Sequence, residues 1–362
     1  MIASRLLPLT LLTLAPFASA DTIYKTDGSA IEDCTVVSEG LNEVTYKEGK
    51  KEKTIASDEV LRIEFEKVPA EIDRALVSIR EQQLLGAVDD LMLYLDGIAA
   101  GKRERRQWAP AYAMNLLIDQ FKTMGEAEQV LKYTDKLIKE QPESRYVPYA
   151  YLTRAQTLFE KGEAGKAKSA IESLAGVVDE KQLSKRWQLE ADLGQVLYDT
   201  SLGGEERRER LVIVSSNAGS DYPTVRNRAD VAEAESLLLD EKFDEAETIF
   251  DRISKGSGSD PATRAAAFCG LGDCLFQRAA GMSPGSDDQR ATLKAALMSY
   301  LRVAINYKNE TRYVSKSLFF AARSFDLMGE DQAPNAQKLY LRVVRTYGDS
   351  QWAKESKSFI KR

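Results

Sequence analysis

No histidine occurs anywhere in this 362-residue sequence. That absence removes Ser-His-Asp and Cys-His catalysis, imidazole general bases and nearly all zinc sites together. Cysteine is scarce too, with three in all. Cys269 and Cys274 sit five apart in a segment that reads as one helix. There a rise of about 1.5 Å per residue puts their α-carbons beyond the ~7 Å limit for a bridge. Cys34 lies in a separate segment, so free and mostly buried thiols are expected. Beyond residue 20 no apolar run is long enough to span a bilayer, so no integral membrane segment is expected. Walker loops, G-x-G-x-x-G fingerprints and EF-hand loops are missing, so no cofactor and no metal is expected. Gly281-Met282-Ser283-Pro284-Gly285 spells G-x-S-x-G, but between two helical segments and without a histidine it reads as a loop. Gly256 to Asp260 reads as a linker, with Pro261 starting the next helix.

What is present is a globular composition, 43% hydrophobic and 29% charged. Residues 1–20 stand apart. Arg5 supplies a positive flank, Leu6 to Pro16 an apolar stretch and Ala18-Ser19-Ala20 a small-residue cleavage pattern. These features predict a secretory signal peptide, with Asp21 the first mature residue, and a soluble product exported to the periplasm or beyond. No cysteine follows the cut to carry a lipid. Net charge is −6, which argues against nucleic acid as the main partner.

Residues 21–67 alternate with period two. Asp21–Thr26 is closed by an Asp27-Gly28 turn, and Ala30–Glu39, Val44-Thr45-Tyr46, Lys53-Thr54-Ile55 and Val60–Phe65 follow as short strands. Five strands in so short a stretch predict a small five-stranded β-barrel. Their order resembles SH3-like and Sm-like barrels, in which such a turn follows the first strand and a short turn, here Ser57-Asp58-Glu59, precedes the last.

From residue 68 the period becomes helical, and an alanine recurs with an apolar residue four positions later. The pairs are Ala87/Leu91, Ala127/Leu131, Ala167/Ile171, Ala246/Phe250, Ala296/Tyr300 and Ala336/Tyr340, at intervals of 40, 40, 79, 50 and 40 residues. Leu211 keeps the partner in the long interval, where Arg207 replaces the alanine. Turn signals near Gly86, Gly125, Gly162, Gly203, Lys242, Gly281 and Gly329 each separate two helix-length segments. A period near 40 residues predicts an α-solenoid of about seven hairpins, each burying its apolar face on its neighbours.

The first helices carry Phe268-x-x-Leu271-Gly272-x-x-Leu275 and Leu318-x-x-Ala321-Ala322-x-x-Phe325. These resemble the W-x-x-L-G-x-x-Y signature of tetratricopeptide (TPR) repeats, and the alanine/aromatic pairs resemble that family's A-x-x-x-F. The period departs from the family's 34. Three junctions share one pattern: Glu143-Ser144-Arg145-Tyr146-Val147, Glu310-Thr311-Arg312-Tyr313-Val314 and Asp349-Ser350-Gln351-Trp352-Ala353. Each predicts an N-cap with an aromatic in the first turn. They are similar to junctions in TPR proteins of the bacterial envelope. The expected organisation is a signal peptide over 1–20, a barrel over 21–67, TPR-like repeats over 68–348 and a capping helix over 349–362.

In the TPR pattern the first helix of each unit faces the concave side. By position the resemblance implies a groove presenting Tyr149, Gln156, Arg228, Glu235, Asp273, Gln277, Lys316 and Arg323 to a peptide or partner helix. The expected function is therefore a non-enzymatic envelope scaffold for a protein or peptide partner. A glycan-binding protein using Tyr24 and Tyr46, and a hydrolase using two carboxylates about 5–10 Å apart, are the alternatives.

Overall fold

The structure, a computed structural model, describes residues 20–348 and 350–360. The leader assigned to 1–20 thus lies outside the described residues except for Ala20, as do Asp349 and 361–362. The chain divides into two compact units. One holds the described residues up to Met124 together with Lys132–Ala150; the other holds Gly125–Leu131 and the described residues from Tyr151 onward.

In the first unit, β1 (Asp21–Lys25), β2 (Ala30–Glu39), β3 (Glu43–Glu48), β4 (Lys51–Ala56) and β5 (Val60–Glu64) form one antiparallel sheet in the order β4-β3-β2-β1-β5. The strands fall where period-two patterning puts them. The expected barrel, however, does not close, because β4 and β5 stay unpaired edges of the sheet. The reason lies at both edges. Lys51, Glu52, Lys53 and Thr54 of β4 are all exposed, so that edge offers charge and no apolar face. At β5 the Val60 carbonyl accepts a hydrogen bond from Arg145 Nη1 at 3.2 Å. β2 does the bending. Ala30, Ile31 and Cys34 pair with β1, and Thr35, Val36, Ser38 and Glu39 with β3; Asp33, just before the changeover, takes φ +53°. Ile23, Cys34, Val44, Val60 and Ile63 fill the concave side, each at most 5% exposed.

Helices follow as seven hairpins, built from α1 (Ala70–Arg80), α2 (Leu84–Ala99), α3 (Ala109–Met124), α4 (Ala127–Glu140), α5 (Val147–Glu160), α6 (Ala164–Lys181), α7 (Lys185–Leu197) and α8 (Gly204–Ala218). They continue through α9 (Pro223–Leu239), α10 (Phe243–Lys255), α11 (Pro261–Ala280), α12 (Asp287–Asn306), α13 (Thr311–Met328) and α14 (Ala333–Thr346), and α15 (Gln351–Ser356) closes the series. Gly125, Gly162 and Gly329 take positive φ in the hairpin turns, as their positions predict. Gly86 does not mark a turn. It lies inside α2, and Gln82 at φ +60° supplies the reversal instead.

The alanine pairs form the spine. Ala87, Ala167, Ala246, Ala296 and Ala336 and their apolar partners are completely buried, whereas Ala127 and Leu131 are only half-buried. Three of the partners are seated on glycines. Ile171 lies against Gly194, Phe250 against Gly270 and Tyr300 against Gly272. A residue with no side chain lets an aromatic ring rest directly on the helix backbone. Arg207 departs from the pattern with a purpose of its own. Its guanidinium donates to the carbonyls of Val196 at 3.1 Å and Asp199 at 2.6 Å, covering the C-terminal end of α7, while Leu211 still packs in the core.

Only one of the three junctions caps as predicted: Ser350 accepts from Ala353 N at 3.1 Å. Glu310 precedes α13 without a side-chain cap, and Ser144 enters an antiparallel bridge with Gly40 at the end of β2. The capping helix is also shorter than expected. α15 stops at Ser356, and Phe359 returns to stack on Tyr340 at 5.3 Å.

Candidate functional site

Within the second unit the leading helices of successive hairpins touch one another: α7 with α9, α9 with α11, and α11 with α13. Each trailing helix packs mainly on the leading helices before and after it. Helices packed closely on one side and spread on the other give a concave inner face, here made by the leading set. Four of the eight residues expected in the groove come together on it. Arg228 of α9 pairs with Glu190 of α7 at 2.5 Å. Lys316 of α13 pairs with Asp273 of α11 at 2.6 Å, and Tyr300 donates to the other oxygen of Asp273 at 2.8 Å. Glu235 of α9 lies between these two pairs in chain order and is exposed.

The other four do not join them. Gln156 is exposed and bonds Glu160 at 3.0 Å, Gln277 is exposed, and Arg323 stacks over the Phe359 ring at 4.4 Å. Tyr149 is half-buried at the start of α5, in the unit that carries the sheet.

The charged groups of this face shift one another. Although Glu235 is exposed, the surrounding protein pushes its carboxyl up, while Arg312 and Lys316 pull it back. Glu190 holds the Arg228 guanidinium above its usual value against the cost of burial. For Lys316, burial pulls the ammonium down, and Cys269 and Asp273 outweigh it. Tyr198, at the end of α7, is pushed up mainly by burial.

Glu190, Tyr198 and Arg312 were not foreseen as groove residues. Glu190 lies four positions before Gly194, where the repeat signature expects a large apolar residue such as Phe268 or Leu318, so the pattern hides it. Its position in the buried interior, at 4% exposure, is the signal that a charged residue there must have a partner. Arg312 was masked by the junction pattern, in which it reads as a first-turn residue.

The features that would favour the alternatives are otherwise engaged. Tyr46 is buried, and the Tyr24 ring is covered by Arg62 at 3.7 Å, so neither offers a flat platform to a sugar. A shallow depression on α10 is lined by Asp244, Glu247, Thr248 and Asp251. Arg278 holds Asp244 and Glu247, and Lys255 holds Asp251 at 2.7 Å. Among the described residues no cluster has the donors for a metal ion, and no helix is long and apolar enough to cross a membrane. The three cysteines are free and buried, as expected.

No family model and no curated protein matches the sequence. Solved structures do. A tetratricopeptide repeat protein from Parabacteroides merdae ATCC 43184 is 15% identical, with 80% of this chain matched to 96% of that one at a TM-score of 0.48. The apo form of RapI is 10% identical, with 77% of this chain matched to 98% of that chain at a TM-score of 0.53. The apo form of the quorum sensor NprR from B. thuringiensis is 12% identical, over 77% and 89% of the two chains, with a TM-score of 0.44. At such identities the likeness is one of fold, and the chain is a TPR-like α-solenoid behind a five-stranded antiparallel sheet.

Proposed function

We propose that this chain is an exported, non-enzymatic scaffold that holds a protein or peptide partner in the bacterial cell envelope. The inner face of its leading helices is the holding surface. The carrying observation is the pattern of charge along the leading helices: Arg228 pairs with Glu190 and Lys316 with Asp273 across neighbouring helices, while Glu235, between them in chain order, is exposed. Locked pairs fix the walls, and an open charge inside a concavity gains more from a partner than one on a flat surface. The leader pattern of residues 1–20 supports export, and a sequence without histidine supports binding without chemical change.

Site-specific photo-crosslinking tests this. A photoreactive residue at position 235 is expected to give a discrete adduct in intact cells. The same residue in place of Ile305, which is 72% exposed on the trailing helix α12, is expected to give none. An adduct pattern independent of position overturns the proposal, as does a protein recovered with its N-terminus still at Met1.

A further inference from the structure

The alanine spine also fixes what the trailing helices turn outward. The residues two, six and nine positions after each alanine form one stripe, on the side of the helix away from the buried pair. In α6 they are Ser169, Ser173 and Gly176, small and uncharged. In α12 they are Met298, Arg302 and Ile305, and in α14 Lys338, Arg342 and Arg345. These two helices pack on either side of α13, and all six residues are exposed. Four are basic, two are apolar and none is acidic. Met298 is 51% and Ile305 72% exposed. Lys338, Arg342 and Arg345 enter no ion pair and no side-chain hydrogen bond among the described residues, and Arg302 only leans over the Phe268 ring at 5.6 Å.

Neither composition nor helix capping accounts for this face. The chain carries a net charge of −6, so a stripe without a carboxylate is not a sample of the whole. A helix C-terminus attracts cations, but Arg345 is the one basic residue in the last turn of either helix. Asp287 and Asp288 stay in the first turn of α12, at its other end. An exposed apolar side chain standing alone needs no explanation. Two of them about 10 Å apart along one helix, with an arginine between and unpaired cations on the next, mark an interaction surface.

We propose that the outer face of α12 and α14 seats on the surface of an anionic phospholipid bilayer. Met298 and Ile305 reach below the headgroups, and the four cations meet lipid phosphates. A protein interface separates an apolar centre from a charged rim. Here basic and apolar side chains alternate along one stripe instead. A bilayer offers both chemistries at different depths, phosphate outside and hydrocarbon beneath, so an alternating stripe is satisfied at every position. The long stems of lysine and arginine keep their charges at the phosphate level while shorter neighbours go deeper. The stripe lies on trailing helices, whereas the inner face is made by the leading set. Bilayer contact therefore leaves the inner face free, and it holds or fails independently of the scaffold reading.

Flotation of the purified chain from Asp21 onward with lipid vesicles tests this. The chain is expected to float with phosphatidylglycerol vesicles and not with phosphatidylcholine vesicles. It is expected to detach in about 1 M salt, where charges are screened beyond about 3 Å. Combining Arg342→Glu with Arg345→Glu is expected to weaken vesicle binding about tenfold or more. Both sites are exposed and unpartnered, and an unchanged urea midpoint shows that the variant is folded. Depth is read separately. An environment-sensitive fluorophore attached through Ile305→Cys is expected to shift to the blue on adding phosphatidylglycerol vesicles. The same fluorophore attached through Gly176→Cys, at the equivalent place on α6, is expected not to shift. The native cysteines are buried and stay unlabelled. No flotation, flotation untouched by the double reversal, or equal shifts at both positions overturns the proposal. Self-association in place of vesicle binding, abolished by the same reversal, assigns the face to a second copy of the chain and overturns it equally.

Discussion

At Gly272 a β-carbon would stand 2.5 Å from Cε1 of Tyr300, a rigid ring that is itself completely buried. Gly272→Ala therefore overpacks the spine and is expected to destabilise the chain by about 1–3 kcal/mol, although alanine is the better helix former. Gly176, in α6, is exposed and has no atom within 4 Å of where its β-carbon would be. Gly176→Ala is expected to stabilise by about 0.5–1 kcal/mol. Urea denaturation of both variants checks the pair, and shifts of the same sign would refute the seat at Gly272. The thiols give a second prediction at this scale. Burial pushes Cys34 up to about 11 and Cys269 and Cys274 up to about 12, so all three remain protonated at pH 8. Iodoacetamide at that pH is expected to leave the native protein unmodified and to label all three after unfolding, read by mass spectrometry. The alanine spine and the free thiols were legible because helical spacing alone encodes them. The purpose of Arg207 was not, since a guanidinium folding back onto a helix end eleven residues away leaves no periodic trace.

Among elements, the junction between α4 and α5 departs most from local expectation. Glu143 to Val147 reads as one more helix cap, yet the sheet captures it. Arg145 N donates to the Glu39 carbonyl at 3.3 Å, and the Arg145 guanidinium forms a buried ion pair with the Glu39 carboxylate. Tyr146 donates to the same carboxylate oxygen at 2.9 Å, while Glu39 Oε1 has no partner at all. Burial pushes the Glu39 carboxyl up, and Arg145 and Tyr146 draw it back. Further along the same unit, Phe65 stacks on Trp108 at 3.6 Å, tying the end of β5 to the start of α3. The sheet is thus built into the helices of its unit. Its strands were legible from their alternation, but its open edge was not. The partner of Arg145 lies 106 residues away, beyond any local pattern. Removing one half of a buried ion pair strands the other in a dry site, which costs about 3–5 kcal/mol. Arg145→Ala is accordingly expected to release the sheet. Trypsin should cut between residues 47 and 74 at low protease concentration, where the native chain resists. Unchanged protection would mean that the aromatic stack alone holds the sheet.

For the molecule as a whole, a solenoid has no single core, and its stability is carried from hairpin to hairpin across shared faces. Such an array needs something to cover its last apolar face. In the second unit that role falls to a segment about ten residues long. Trp352 packs on Phe319 and Phe320 at 5.3 Å each, Phe359 stacks on Tyr340, and the Phe359 carbonyl accepts from Gln337 Nε2 at 2.8 Å. Arg323, expected in the groove, instead covers the outer face of Phe359, which explains why position alone misplaced it. The basic composition of the segment suggested a closing helix, but closure is achieved by two aromatics on a short helix and a turn, because six helical residues cannot reach both rings. Each aromatic buries on the order of 150–250 Å², and at about 25 cal/mol per Å² the two together contribute roughly 7–12 kcal/mol as an upper bound before ordering costs. A chain ending at Gly348 therefore uncovers Phe319, Phe320 and Tyr340 at once. It is expected to bind a hydrophobic dye, to self-associate as concentration rises in light scattering, and to lose amide-exchange protection in α13 and α14 first. Protection in α7 to α9, several interfaces away, should change little. A uniform loss of protection across the second unit would contradict neighbour-by-neighbour stability and imply one cooperative core.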